Sequence, residues 1–157
     1  MNELEALDDR PLLVTGAAGF IGSALVRQLL GQTRAPVVSF DALTYAGNEA
    51  NLQSLSGSDN FRFVHADICD YDRVLATLRE HSINTIVHFA AESHVDRSIT
   101  GPDAFIETNV TGTHVLQSGD DGRQMQFVPG PVFTAIFRPA KSISEHLQRL
   151  KKNNGKL

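Results

Sequence analysis

Three glycines carry the strongest chemical signal in this chain. Thr15-Gly16-Ala17-Ala18-Gly19-Phe20-Ile21-Gly22 is a G-x-x-G-x-x-G loop between the apolar run Leu12-Leu13-Val14 and a segment whose Ile21, Ala24, Leu25 and Leu29 recur at helical spacing. In that position Gly16 permits a tight turn. Gly19 lets a pyrophosphate approach the backbone N–H groups at the helix start, and Gly22 lets helix pack against strand. Asp41 ends the second predicted strand about 20 residues beyond the loop, where a carboxylate accepts hydrogen bonds from a ribose. It would also repel a 2′-phosphate, so these residues favour NAD over NADP. The bland alternative, a capping aspartate in a glycine-rich turn, explains each feature alone but not their coincidence.

Two further groups point away from chemistry. His88, Glu92 and His94 straddle a predicted strand end without i, i+4 spacing, and no cysteine cluster accompanies them, so no metal site is expected. Cys69, the single cysteine, excludes an internal disulfide. Its neighbours Asp67 and Asp70 raise a thiol pKa, which predicts an unreactive side chain.

The elements that must hold these residues alternate along the chain. Val37 to Phe40, Phe61 to His65 and Thr85 to Phe89 are rich in β-branched and aromatic residues and read as the second, third and fourth strands. Gly31 is a stop signal for the first helix, Asp70 a cap for the helix carrying Val74, Leu75 and Leu78, and Pro102 the first turn of one running through Phe105, Val110 and Val115. Strands alternating with helices imply an α/β fold: a Rossmann-like, doubly wound parallel sheet with both faces covered. After Leu116 the pattern degrades. Phe127-Val128 starts a candidate fifth strand that Pro129-Gly130-Pro131 interrupts, so the sheet is expected to stop after four to five strands with an open edge. Ser142 to Leu150 reads as a short amphipathic helix opened by a capping box.

Charge divides the chain at the same place. Residues 1–118 hold seven Arg, no Lys and fifteen acids, a net −8, whereas 119–157 hold all four lysines and reach +4. The second part is either a solvated basic tail or a foreign segment. We therefore expect a domain at 1–118 that binds NAD but is incomplete, and a divergent basic tail at 119–157. The whole-chain net charge of −4 argues against nucleic acid, and the apolar face of the tail helix is too small to favour a membrane. An acidic start without an apolar block and a lone cysteine make the cytoplasm the expected location.

Taken together, the glycine loop, Asp41-Ala42-Leu43-Thr44-Tyr45-Ala46-Gly47-Asn48 and the segment from His88 to Ser98 resemble the dTDP-glucose 4,6-dehydratases, extended short-chain dehydrogenases/reductases. Ala66-Asp67-Ile68 and Phe105 to Asn109 match as well, and the resemblance runs from about Leu12 to Gln117. It implies that Phe20 and Ile21 meet the cofactor pyrophosphate, Asp41, Ala42, Leu43 and Thr44 the adenosine ribose, and Asp67 with Ile68 the adenine. By the same resemblance Phe89, Ala90, Ala91, Glu92 and Ser93 line the nicotinamide side, Ser93 also touches a dTDP-sugar, and Thr108 closes the pocket. The helix from Pro102 resembles one that pairs subunits, implying a homodimer.

The family reaction, dTDP-glucose to its 4-keto-6-deoxy product, uses a Tyr-x-x-x-Lys pair and an adjacent Asp-Glu pair. Neither occurs in this chain: Tyr45 and Tyr71 precede Glu49 and Leu75 by four residues, and there is no Asp-Glu dipeptide. No catalytic residue is assigned, and the chain is expected to be inactive alone. A non-catalytic nucleotide-binding module or a truncated gene product is the alternative.

Overall fold

The computed structural model describes residues 10–83, 85–93, 102–118, 125–129 and 135–139, the last two stretches as backbone only. Strand β1 (Leu12–Thr15) leads through the glycine loop into α1 (Phe20–Gln32) and then β2 (Val37–Asp41). Two 3-10 turns, Glu49–Asn51 and Gln53–Leu55, precede β3 (Phe61–His65), α2 (Tyr71–Glu80) and β4 (Thr85–His88). A helical stretch follows, made of α3 (Pro102–Ile106), a π-helical segment Glu107–Gly112 and α4 (Thr113–Ser118). The last elements are β5 (Met125–Pro129) and β6 (Ala135–Pro139).

Strands β1 to β4 are parallel in the order β3-β2-β1-β4, the first half of a doubly wound sheet, as expected. Side chains alternate across β1. Leu12 and Val14 join Val26 and Leu29 of α1 on one face, whereas Leu13 joins Val74 and Leu78 of α2 and Leu116 of α4 on the other. All of these side chains are nearly or fully buried. Both faces of the sheet are thus covered, and the four strand ends are held level.

Three expectations are corrected. Gly31 does not stop α1, which continues to Gln32; Thr33 ends it, with its N–H and hydroxyl both donating to the Leu29 carbonyl at 2.9 Å. The fifth strand exists, but not as the next parallel neighbour: β6 pairs antiparallel with β4, and β5 pairs antiparallel with β6 on the outside. The edge of β4 is therefore covered, and Pro129 sits at the end of the outermost strand, where a missing ladder donor is tolerated. Phe105, Val110 and Val115 do not lie on one regular α-helix, because the π-helical segment Glu107–Gly112 intervenes between two α-helical ones. Asp70 does cap α2, accepting the Arg73 N–H at 3.0 Å. The expected helix over 142–150 lies outside the described residues.

Candidate functional site

Parallel strands that end level leave their carboxyl ends free to form a crevice, and the loops leaving β1 to β4 meet there. Gly16 has a φ of +64°, and a Cβ on it would lie 2.7 Å from the Ala90 nitrogen, so both conformation and close packing demand glycine. A Cβ on Gly22 would collide with the Gly16 carbonyl and the Ala17 backbone, which fixes α1 against the loop. Gly19 is the N-cap of α1, and no acidic residue occupies the first turn. The first N–H groups of a helix have no intrahelical acceptors, so this end presents donors and positive dipole to an anion.

Asp41, 8% exposed, accepts the Ala18 N–H on Oδ2 and the Leu43 N–H on Oδ1, both at 2.8 Å. The capping role and the ligand role are therefore not alternatives: the carboxylate braces the glycine loop, and each oxygen retains a lone pair for a hydroxyl. Leu43 pays for this with a left-handed φ of +52°. Gly47 is needed close by, since a Cβ there would stand 2.7 Å from Asp41 Oδ1. Asn48 N–H and Asn51 Nδ2 both donate to the Ala18 carbonyl, so the segment after β2 is tied to the same loop.

Gly16, Gly19, Asp41, Ala42, Thr44, Asp67, Ile68, Phe89, Ala90, Ala91, Glu92 and Thr108 line one cleft at these strand ends. Phe20, Ile21, Gly22, Leu43 and Ser93 do not. Phe20 is 90% exposed and Ile21 is exposed at the start of α1, Gly22 lies behind the loop, Leu43 reaches Asp41 through its N–H, and Ser93 is exposed beyond the lining. Phe40, Ala46, Gly47 and Ala66 line the cleft too. The residue-type signals for a phosphate or a ribose do not reach such apolar or backbone contributions.

Asn109 is also invisible to such signals, since an amide on a helix reads as an ordinary backbone partner. Its side chain grips Glu92 instead, with Oδ1 accepting the Glu92 N–H at 2.8 Å and Nδ2 donating to the Glu92 carbonyl at 2.9 Å. Burial pushes His88 down to about 4, so it is neutral near pH 7. Cys69 is pushed up to about 11, first by burial and then by Asp67, and its Sγ faces the Glu107 carbonyl. The expected direction holds, with burial as its first cause; of the two acidic neighbours expected, Asp67 contributes and Asp70 does not, and Glu107 adds to it. Among the described residues no three His, Cys, Asp or Glu side chains gather as a metal set.

Fold and cleft together define a Rossmann-like α/β protein with a nucleotide-type crevice at its strand ends. A family model described as GDP-mannose 4,6 dehydratase matches residues 13–118. dTDP-glucose 4,6-dehydratase 1 of Escherichia coli (strain K12) is 55% identical over 105 residues, 67% of this chain and 29% of that protein. The dTDP-glucose 4,6-dehydratase of Neisseria meningitidis serogroup B (strain ATCC BAA-335 / MC58) is 50% identical over 110 residues, 68% of this chain and 30% of that one. Among solved structures, DesIV, a dTDP-glucose 4,6-dehydratase from Streptomyces venezuelae with NAD and TYD bound, has a TM-score of 0.65 at 52% identity, covering 69% of this chain and 34% of DesIV. The chain belongs to the GDP-mannose 4,6 dehydratase family. It spans about a third of the length of the relatives it matches.

Proposed function

We propose that the cleft binds NAD and prefers it to NADP. The observation that carries this reading is the bracing of the glycine loop by Asp41, which puts a buried carboxylate beside the free N–H groups of α1. The residues fit the group: the α1 N-terminus would meet the pyrophosphate, Asp41 the adenosine ribose, and Asp67 with Ile68 the adenine. Phe89 to Glu92 would face the nicotinamide, and Thr108 would close the pocket. NAD supplies hydride acceptance when bound; this chain's residues hold and orient it. NAD bound to DesIV, and to the dTDP-glucose 4,6-dehydratase of Bacillus anthracis str. Ames at 38% identity and a TM-score of 0.61, supports the assignment.

The reading extends to a dTDP-sugar as the family's substrate, with exposed Ser93 beside it, and to a nucleotide-binding unit that ends near residue 118, where the family match ends. Without Tyr-x-x-x-Lys or Asp-Glu in its sequence, the chain by itself holds cofactor but does not convert dTDP-glucose. Exposed Ile106 and Val110 on the helical stretch 102–118 support a homodimer through that face. Among the described residues no helix is long and apolar enough to cross a membrane, and the lone cysteine favours the cytoplasm. Calorimetric titration with NAD and with NADP tests the central point: tighter NAD binding is expected, and equal affinity or an NADP preference overturns the ribose assignment.

A further inference from the structure

Behind the glycine loop runs a chain of polar groups that the NAD reading leaves unused. Thr15 Oγ1 lies 2.6 Å from His88 Nδ1 and accepts the Ala90 N–H at 3.3 Å. On the other side of the ring, His88 Nε2 lies 3.1 Å from Thr113 Oγ1, whose hydroxyl donates to the Asn109 carbonyl at 2.7 Å. Asn109 in turn holds the backbone of Glu92 at both its N–H and its carbonyl. The chain joins three elements far apart in sequence: the end of β1, the end of β4 and the helical stretch 107–118.

A count of hydrogens over the Thr15, His88 and Thr113 contacts points to one state of the imidazole. A hydroxyl has one hydrogen to give, and Thr113 gives its own to Asn109, so at His88 it must accept. Nε2 therefore carries the proton. Nδ1 is then a lone pair that takes the Thr15 hydroxyl hydrogen, which leaves Thr15 Oγ1 free to accept the Ala90 N–H. The opposite tautomer would draw the Thr113 hydroxyl hydrogen onto Nε2 and take it from the Asn109 carbonyl. An ordinary core histidine needs no such agreement at both ends.

We propose that His88 is a positioning residue which, as the neutral Nε2–H imidazole, ties the glycine loop to the π-helical stretch and so sets the Ala90–Glu92 backbone of the cleft wall. His88 does not itself line the cleft; it acts through Thr15 on Ala90 and through Thr113 and Asn109 on Glu92. The role rests on the NAD reading only in that this wall is assigned to the nicotinamide end of the cofactor.

Three measurements on the whole chain decide it. Imidazole ¹⁵N NMR at pH 7 is expected to show His88 as the Nε2–H tautomer; an Nδ1–H or protonated ring overturns the proposal without any variant. Thr113→Val is expected to speed amide exchange at Ala90 and Glu92 by about tenfold relative to the β1 and β2 amides, because the loss is local. Thr15→Val should act likewise, and Thr15→Ser, which keeps the hydroxyl, should restore protection; unchanged or uniformly raised exchange overturns the proposal. In saturation-transfer NMR with NAD, the nicotinamide protons should lose signal relative to the adenine protons in Thr113→Val, a split that general destabilisation would not cause. Failure of NAD to bind the unaltered chain would sink the NAD reading alone, because the tautomer and exchange results stand without ligand.

Discussion

At the scale of single residues, the glycine loop tolerates the least change. Gly16→Ala would place a methyl group against the Phe89–Ala90 backbone at a left-handed φ, which is expected to cost at least about 2 kcal/mol; a denaturant midpoint unchanged from the parent would refute that. His88 makes a different prediction. Its folded pKa of about 4 lies below the ordinary 6.5, so the unfolded chain binds the extra proton first. Its contribution is fully present above pH 6.5, declines as pH falls, and is gone by about pH 4. The expected loss is on the order of 3 kcal/mol. Denaturation series at several pH values, run beside His88→Asn, isolate it: the difference between the two slopes should vanish above pH 7. Gly16, Gly22 and Asp41 were legible from spacing because a turn and a close packing require glycine, and the end of the second strand is where a ribose-binding carboxylate is expected. The roles of Thr15, His88 and Asn109 were not, since a histidine in an apolar strand looks like core, and its partners lie 73 and 25 positions away.

At the scale of elements, β3 could be read to the residue from Phe61 to His65, because aromatic and branched side chains leave little doubt about extended backbone. The end of α1 is less legible. A glycine near a helix terminus suggests a stop, yet Gly31 lies inside the last turn with open space where a methyl group would stand, and the side chain of Thr33 ends the helix. Gly31→Ala is therefore expected to stabilise the protein by about 0.5–1 kcal/mol, as for any exposed helical glycine, and a lower melting temperature would contradict the assignment. Ser39 gives a companion test. Its hydroxyl is fully buried in β2 and, among the described residues, has no hydrogen-bond partner, so Ser39→Ala should leave stability unchanged or raise it. The direction of β5 and β6 was beyond a reading of periodicity. Alternation of side chains shows that a segment is extended, but not whether it runs with or against its neighbour.

At the scale of the whole molecule, the family match stops at residue 118, while the sheet continues through β6 and β5. The pairing of β6 with β4 covers an edge that would otherwise attract another chain, so the open edge expected from the sequence does not arise at β4. Exposed Ile106 and Val110 remain as an apolar face. Light scattering is expected to show a dimer that Ile106→Glu with Val110→Lys converts to monomer; a parent chain that is monomeric at every concentration would exclude that surface. Net charge and the lone cysteine bound the class of protein, but residue types pointed to a ligand only at the glycine loop and Asp41, which lie at adjacent strand ends, because composition carries no geometry. The most direct test of the account is hydrogen exchange of the whole chain with and without saturating NAD. Binding should slow exchange of the amides at Gly19, Phe20 and Ile21 and in the segment from Ala42 to Thr44, leaving the β3 edge unchanged. Protection confined to other parts of the chain, or none at saturating NAD, would contradict a cofactor seated on the α1 N-terminus and Asp41.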